Sequence, residues 1–143
     1  MSSPASIHRE IAECWNRRDF DGLRDLCHPD YAFTGGDGNE MAGGPETAVG
    51  IAGMWASAFP DGRLRVKRVY TQGSTAIAEM VGHGTHAGQF GGVEATGRHV
   101  EIVICNVIEL RDGRAYRERQ YLDTLSVLTQ IGAVGAPGRT ARA

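Results

Sequence analysis

At the Phe59-Pro60-Asp61-Gly62 turn the spacing of apolar residues changes from helical to strand-like, and it stays strand-like almost to the end of the chain. Before the turn, "PASIHREIAECWNRRDF" sets Ile7, Ile11 and Trp15 along one side of an amphipathic helix. "FDGLRDLCHPDY" continues with Phe20, Leu23 and Leu26 in a second short helix that Pro29 stops. "FTGGDGNEMAGGP" is too rich in glycine for a regular element and reads as a loop, after which Pro45 opens a third helix over "ETAVGIAGMWASAF". Beyond the turn, "RLRVKRVYTQ", "TAIAEMVGHGTHAG", "HVEIVICNVIELR" and "AYRERQYLD" read as strands separated by Gly-containing turns. Three N-terminal helices followed by a meander of strands predict an α+β fold, with the helices packed on one face of a mostly antiparallel sheet. A chain of 143 residues has the size of one domain. The expected unit is 1–132, closed by a last helical turn in "DTLSVLTQIG", with 133–143 as a disordered tail.

One strand constrains the assembly as well as the fold. A half-buried strand alternates apolar and polar residues, yet Ile102 to Ile108 is apolar at every position except Asn106. Both faces of this strand are therefore expected to be covered, one by helices and the other by a second copy of the chain in a homodimer formed through the sheet.

Composition removes several classes. A net charge of −2 offers no excess of cations for nucleic acid or an acidic membrane, and no apolar run reaches the 18 or more residues of a spanning helix. "MSSPASIHRE" lacks the basic and apolar regions of a secretion signal, so the expectation is a cytoplasmic protein. Cys14, Cys27 and Cys105 form an odd set without Cys-x-x-Cys spacing and read as small buried apolar residues. His83 and His86 point to opposite faces of a strand and make poor joint ligands, so no metal is expected. The glycine-rich stretches lack a Gly-Lys-Ser/Thr ending and the strand-to-helix order of a dinucleotide site. If the chain is an enzyme, it is expected to work by proton transfer without a bound cofactor.

Polar residues in the last two strands locate that chemistry. Period-two alternation puts Arg117, Arg119, Tyr121 and Asp123 on one face, and Glu118, Gln120 and Leu122 on the other. Asn106 shares its face with Ile102, Ile104 and Ile108. If the Asn106 face and the Asp123 face form one concave side, an amide, a carboxylate and a guanidinium converge in an apolar cavity, the usual make-up of a small-molecule site. Asp123 then serves as general acid and base. The alternative is that Asp123 caps the following "TLSVL" turn or pairs with Arg119 on the surface.

The ordered motifs "HPDY", "FPD", "GTHAGQFGGVEATGR", "LRDGRAYRERQYLD" and "LTQIG" resemble the SnoaL-like polyketide cyclases of the NTF2-like superfamily, over nearly the whole chain. The resemblance implies a cone of curved sheet and three helices around a pocket. It also implies a cofactor-free aldol cyclisation of a polyketide-like, polycyclic substrate in secondary metabolism. The family's acid/base matches Asp123; a family histidine near it is replaced by Asn106, which can donate a hydrogen bond but cannot shuttle a proton. By the same resemblance Asn106 and Arg119 polarise or orient the substrate and His86 assists, while Trp15, Tyr31, Phe33, Met54, Trp55, Phe59, Phe90 and Tyr121 are candidates for the pocket wall. The family also suggests a hydroxylation component of the same fold, and the superfamily a non-catalytic ligand-binding module.

Overall fold

A computed structural model describes residues 1–135. The expected tail lies, from residue 136 onward, outside the described residues. Helix α1 spans Ile7–Arg17, α2 Phe20–Leu26 and α3 Pro45–Ala58, with Pro45 in the first turn where its missing N–H costs no bond. Strands β1 (Cys27–Thr34), β2 (Glu40–Met41), β3 (Arg63–Gln72), β4 (Thr75–Thr85), β5 (His99–Arg111) and β6 (Arg114–Leu122) form one sheet, and α4 (Thr124–Gln130) follows it. The sheet order is β2-β1-β6-β5-β4-β3. Four neighbouring pairs are antiparallel and β1 runs parallel to β6, so the α+β expectation holds with a mixed sheet.

The parallel strand corrects the reading of residues 27–44. Helix α2 ends at Leu26, before Pro29, and "CHPDYAFT" is β1 rather than helix and loop. Its pattern gave no alternation because its pairing with β6 is interrupted between Cys27 and Ala32, where the register shifts around Pro29, which has no N–H to give to a ladder. Within the glycine-rich stretch, Glu40 and Met41 pair back onto Thr34 and Phe33.

Small residues on the inner face of the sheet let the helices approach. In β4 the inward set is Ala76, Ala78, Met80, Gly82 and Gly84, and both alanines are fully buried. The main core gathers Ile7, Tyr31, Phe33, Ala52 and Ile108 between α1, α3 and the sheet. Helix α1 ends at Arg18, a non-glycine residue with φ of 57°. Its guanidinium explains why that conformation is kept: it donates to the carbonyls of Trp15, Phe59, Pro60 and Gly62 and lies 4.1 Å from the Trp15 ring centroid. The end of α1 is thus fastened to the turn that begins the meander. At the same end of the sheet, Val127 of α4 and Ile131 pack with Phe59, Phe90 and Val100. The Gln130 amide brackets the backbone of Glu101 with bonds of 2.8 and 2.9 Å.

Candidate active site

The β5–β6 hairpin decides which polar residues enter the interior. Its turn, Asp112-Gly113, joins the directly opposed Arg111 and Arg114, and Leu110 faces Ala115. The next pair is Glu109 with Arg117, so Tyr116 is an extra residue on β6, a β-bulge. An uninterrupted hairpin would have set Asn106 opposite Arg119; the bulge moves it opposite Gln120. Tyr116 is held between guanidiniums, 3.8 Å from Arg111 and 3.9 Å from Arg117, and edge-on to His28 at 5.3 Å.

The expected convergence of Asn106 with Arg119 and Asp123 is therefore corrected. Directly paired residues of an antiparallel sheet point to the same side. Asn106 accordingly shares the inner face with Glu118, Gln120 and Leu122, while Arg119 lies on the outer face, where it donates to Glu109 Oε2 at 2.6 Å. Asp123 is exposed and caps α4, its Oδ1 accepting from the Ser126 N–H at 3.1 Å.

The inner face forms one wall of a cavity of about 140 Å³, closed by Ile11 and Trp15 of α1, Ala48, Ile51, Ala52 and Trp55 of α3, and Tyr31 and Phe33 of β1. One water needs only ~10–15 Å³ by the same kind of measure, so this is room for an organic ring rather than a hydration site. Its lining is mainly aliphatic and aromatic, with Asn106, Glu118 and Gln120 among the few polar side chains. The Tyr31 hydroxyl donates to Glu118 Oε1 at 2.7 Å and the Asn106 Nδ2 donates to Glu118 Oε2 at 2.7 Å. All three residues are buried. Burial raises the Glu118 pKa above the ordinary carboxylate value, against the opposing pull of the Tyr31 hydrogen bond. Burial, reinforced by the neighbouring Glu118 charge, likewise pushes the Tyr31 phenol up and the Cys27 thiol to about 12. Phenol and thiol keep their protons, and the carboxyl is the group of this cluster whose affinity for a proton burial has raised.

The structure thus brings Asn106, Trp15, Tyr31, Phe33, Trp55 and Phe59 together around one cavity. Met54, on the opposite side of α3, and Tyr121, on the outer face of β6, are exposed by half or more. Phe90 packs behind Trp55 and Phe59 at centroid distances of 5.1 and 5.9 Å, its ring tilted against both. His86 is fully buried beside Phe59, its Nδ1 accepting from the Thr96 N–H at 3.2 Å, and it holds the β4–β5 connection outside the cavity lining. Glu118 was missed as a site residue. The available signal was its company: a single carboxylate alternating with Gln120 and Leu122, against an opposite set with the two arginines and the aspartate of an exposed face. Among the described residues no group of three or more His, Cys, Asp and Glu side chains gathers as a metal site, and no helix is long and apolar enough to cross a membrane.

A family model described as SnoaL-like polyketide cyclase matches residues 5–131. The chain belongs to that family. Among curated proteins it is 25% identical over 133 residues to the aklanonic acid methyl ester cyclase AcmA of Streptomyces galilaeus, covering 92% of each chain. It is equally 25% identical, with the same coverage, to the aklanonic acid methyl ester cyclase DnrD of Streptomyces peucetius. Among solved structures, IdmH of Streptomyces antibioticus, a candidate polyketide cyclase, superposes with a TM-score of 0.79 at 28% identity, over 90% of this chain and 98% of that one. AclR of Streptomyces galilaeus shares the fold with a TM-score of 0.84 at 22% identity, over 97% and 87% of the two chains. Membership and fold together support a cyclase-like enzyme for this chain, as its motifs implied.

Proposed function

We propose that this enzyme closes a ring in a polyketide-like small molecule of antibiotic biosynthesis by acid–base catalysis, with Glu118 rather than Asp123 as the group that moves the proton. The observation that carries this reading is the buried Tyr31–Glu118–Asn106 cluster in the wall of an apolar cavity. The Glu118 carboxylate takes a proton from a carbon flanked by two carbonyl groups. The resulting carbanion forms a C–C bond to a carbonyl carbon within the same molecule, and the alkoxide so produced takes the proton back from the Glu118 carboxyl. The sequence is an isomerisation that balances without a cofactor. Tyr31 and Asn106 fix the carboxyl in place, and the aromatic walls exclude water that would otherwise quench the carbanion.

Aklanonic acid methyl ester, the compound named for the two curated cyclases, is the first substrate to assay. Glu118→Gln keeps the shape and the acceptor for Tyr31 but cannot exchange a proton. Its turnover falls by roughly 10²–10⁴-fold, the usual contribution of general acid–base catalysis. Full activity in that folded variant, or loss of activity in Asp123→Asn instead, rejects the assignment. The same assay run without oxygen separates ring closure, which consumes none, from a hydroxylation.

The second copy expected from the sequence is part of the proposal. Val103 is 72% exposed and Tyr121 54%, and with Tyr70 and Ile77 they leave an apolar patch on the outer sheet face, which a homodimer would cover. We place the protein in the cytoplasm, in keeping with three cysteines that form no disulfide.

A further inference from the structure

The Asn106 amide has two ends, and only one is used. Its Nδ2 donates to Glu118, while its Oδ1 is buried and accepts from nothing, although the residue is 5% exposed and lines the cavity. A buried carbonyl without a donor has lost its water and gained nothing in return, so a ligand that supplies a donor is favoured by the relief of that cost. Nothing in the cavity relieves it from the protein side. Gln120, directly across the strands, makes no hydrogen bond to Asn106 Oδ1, and Tyr31 has committed its hydroxyl to Glu118. Turning the amide over does not help while Glu118 is ionised, because it would set Oδ1 against the carboxylate oxygen. A ketone or ether oxygen brought to the same place would repel Oδ1.

We infer that the ligand of this cavity presents a hydroxyl group, phenolic or enolic, that donates a hydrogen bond to Asn106 Oδ1. Asn106 is then a specificity-determining residue that selects hydroxylated rings over their ketone, ether or halogen counterparts. The inference rests on the reading of this cavity as the substrate site, and it narrows the substrate class at one position of the ring.

The test uses two rings of nearly equal size, 1-naphthol and 1-fluoronaphthalene, titrated calorimetrically into the wild-type protein. Removing a hydroxyl from water is costly, so a purely apolar cavity prefers the fluoro compound. The expected result is the reverse, with 1-naphthol bound roughly tenfold more tightly, the worth of one good hydrogen bond. Asn106→Leu is expected to invert the preference, and Glu118→Gln to abolish it, because the amide placed there offers an N–H to Asn106 and turns its Oδ1 away from the ligand. Equal or weaker binding of 1-naphthol by the wild type overturns the inference while leaving the cavity as a site. A naphthol preference that survives in Asn106→Leu assigns the hydroxyl to another acceptor and also overturns it. If neither ring binds, or if Ala52→Trp, which fills the cavity, leaves binding unchanged, the reading of the cavity falls and the inference with it. The wild-type comparison needs no substitution, so a variant that fails to fold does not remove the test.

Discussion

Strands β5 and β6 present two faces that differ in nearly everything except their sequence neighbourhood. The inner face sets Ile104 against Leu122, Asn106 against Gln120 and Ile108 against Glu118, with a carboxyl shut away from water and held by two donors. The outer face sets Cys105 against Tyr121 and Val107 against Arg119, with the Arg119–Glu109 ion pair partly in solvent and Val103 mostly exposed. Residues one position apart thus have opposite electrostatic fates. Inside, a carboxylate loses hydration and gains affinity for a proton; outside, charges pair loosely and are screened by water. The proposed chemistry belongs to the face that lost its water, although the outer set carries the larger number of charges.

The predictions that bear on that contrast begin with the largest effect. Inserting one alanine between Arg117 and Glu118, with the bulge at Tyr116 kept, moves every later residue of β6 by one place in the pairing. That change sets Arg119 and Tyr121 on the inner side and drives Glu118 outward. Loss of the cooperative thermal transition is expected in circular dichroism; an insertion variant that melts like the wild type would show that the register beyond the bulge does not set the faces.

Burial of titratable groups makes stability depend on pH, with opposite signs for two residues. The Glu118 pKa is raised in the fold above its unfolded value of 4.5, so its contribution is fully present below that pH and is lost as pH rises through the folded value. His8, buried with its Nε2 3.2 Å from the Ala76 carbonyl, has a lowered pKa because of burial. Its contribution is present above 6.5 and is lost as pH falls through the lower folded value. Denaturant titrations across pH 4 to 8 on the order of one-unit steps check both. Glu118→Gln should gain on the wild type as pH rises from 4.5, and His8→Gln should gain as it falls from 6.5; parallel profiles for variant and wild type would refute the burial argument.

The smallest effects are expected on the outer side. Val103→Asp should weaken self-association by ~30-fold, a hot-spot loss of about 2 kcal/mol, as read by sedimentation at several concentrations. A wild type that is monomeric throughout removes the dimer from the proposal. Asp123→Ala removes the α4 cap at a cost of about 1 kcal/mol, or a few degrees in the thermal midpoint, with turnover nearly unchanged. Turnover lost with the cap intact, as in Asp123→Asn, would restore Asp123 to the reaction.

Much of this architecture is legible in the residues. The helical spacing of Ile7, Ile11 and Trp15, the proline that opens α3 and the turn after Phe59 predict α1, α3 and the start of β3. Local sterics and alternation determine them, and both are properties of neighbouring residues. Strand β1 was not legible, because its pairing with β6 joins residues far apart in the chain and its own pattern is broken at Pro29. The aromatic wall was partly legible: Trp15, Tyr31, Phe33, Trp55 and Phe59 line the cavity, while Met54 turns away because α3 presents Ala48, Ile51, Ala52 and Trp55 at helical spacing instead.

By itself the sequence determined that β6 would carry two alternating sets, one holding Glu118 and the other holding Arg119 and Asp123. Alternation is fixed by backbone geometry within a strand. Only the tertiary structure decided which set faces the cavity. That choice depends on one unpaired residue, Tyr116, wedged between Arg111 and Arg117, and a shift of one residue in pairing exchanges the two faces of everything beyond it.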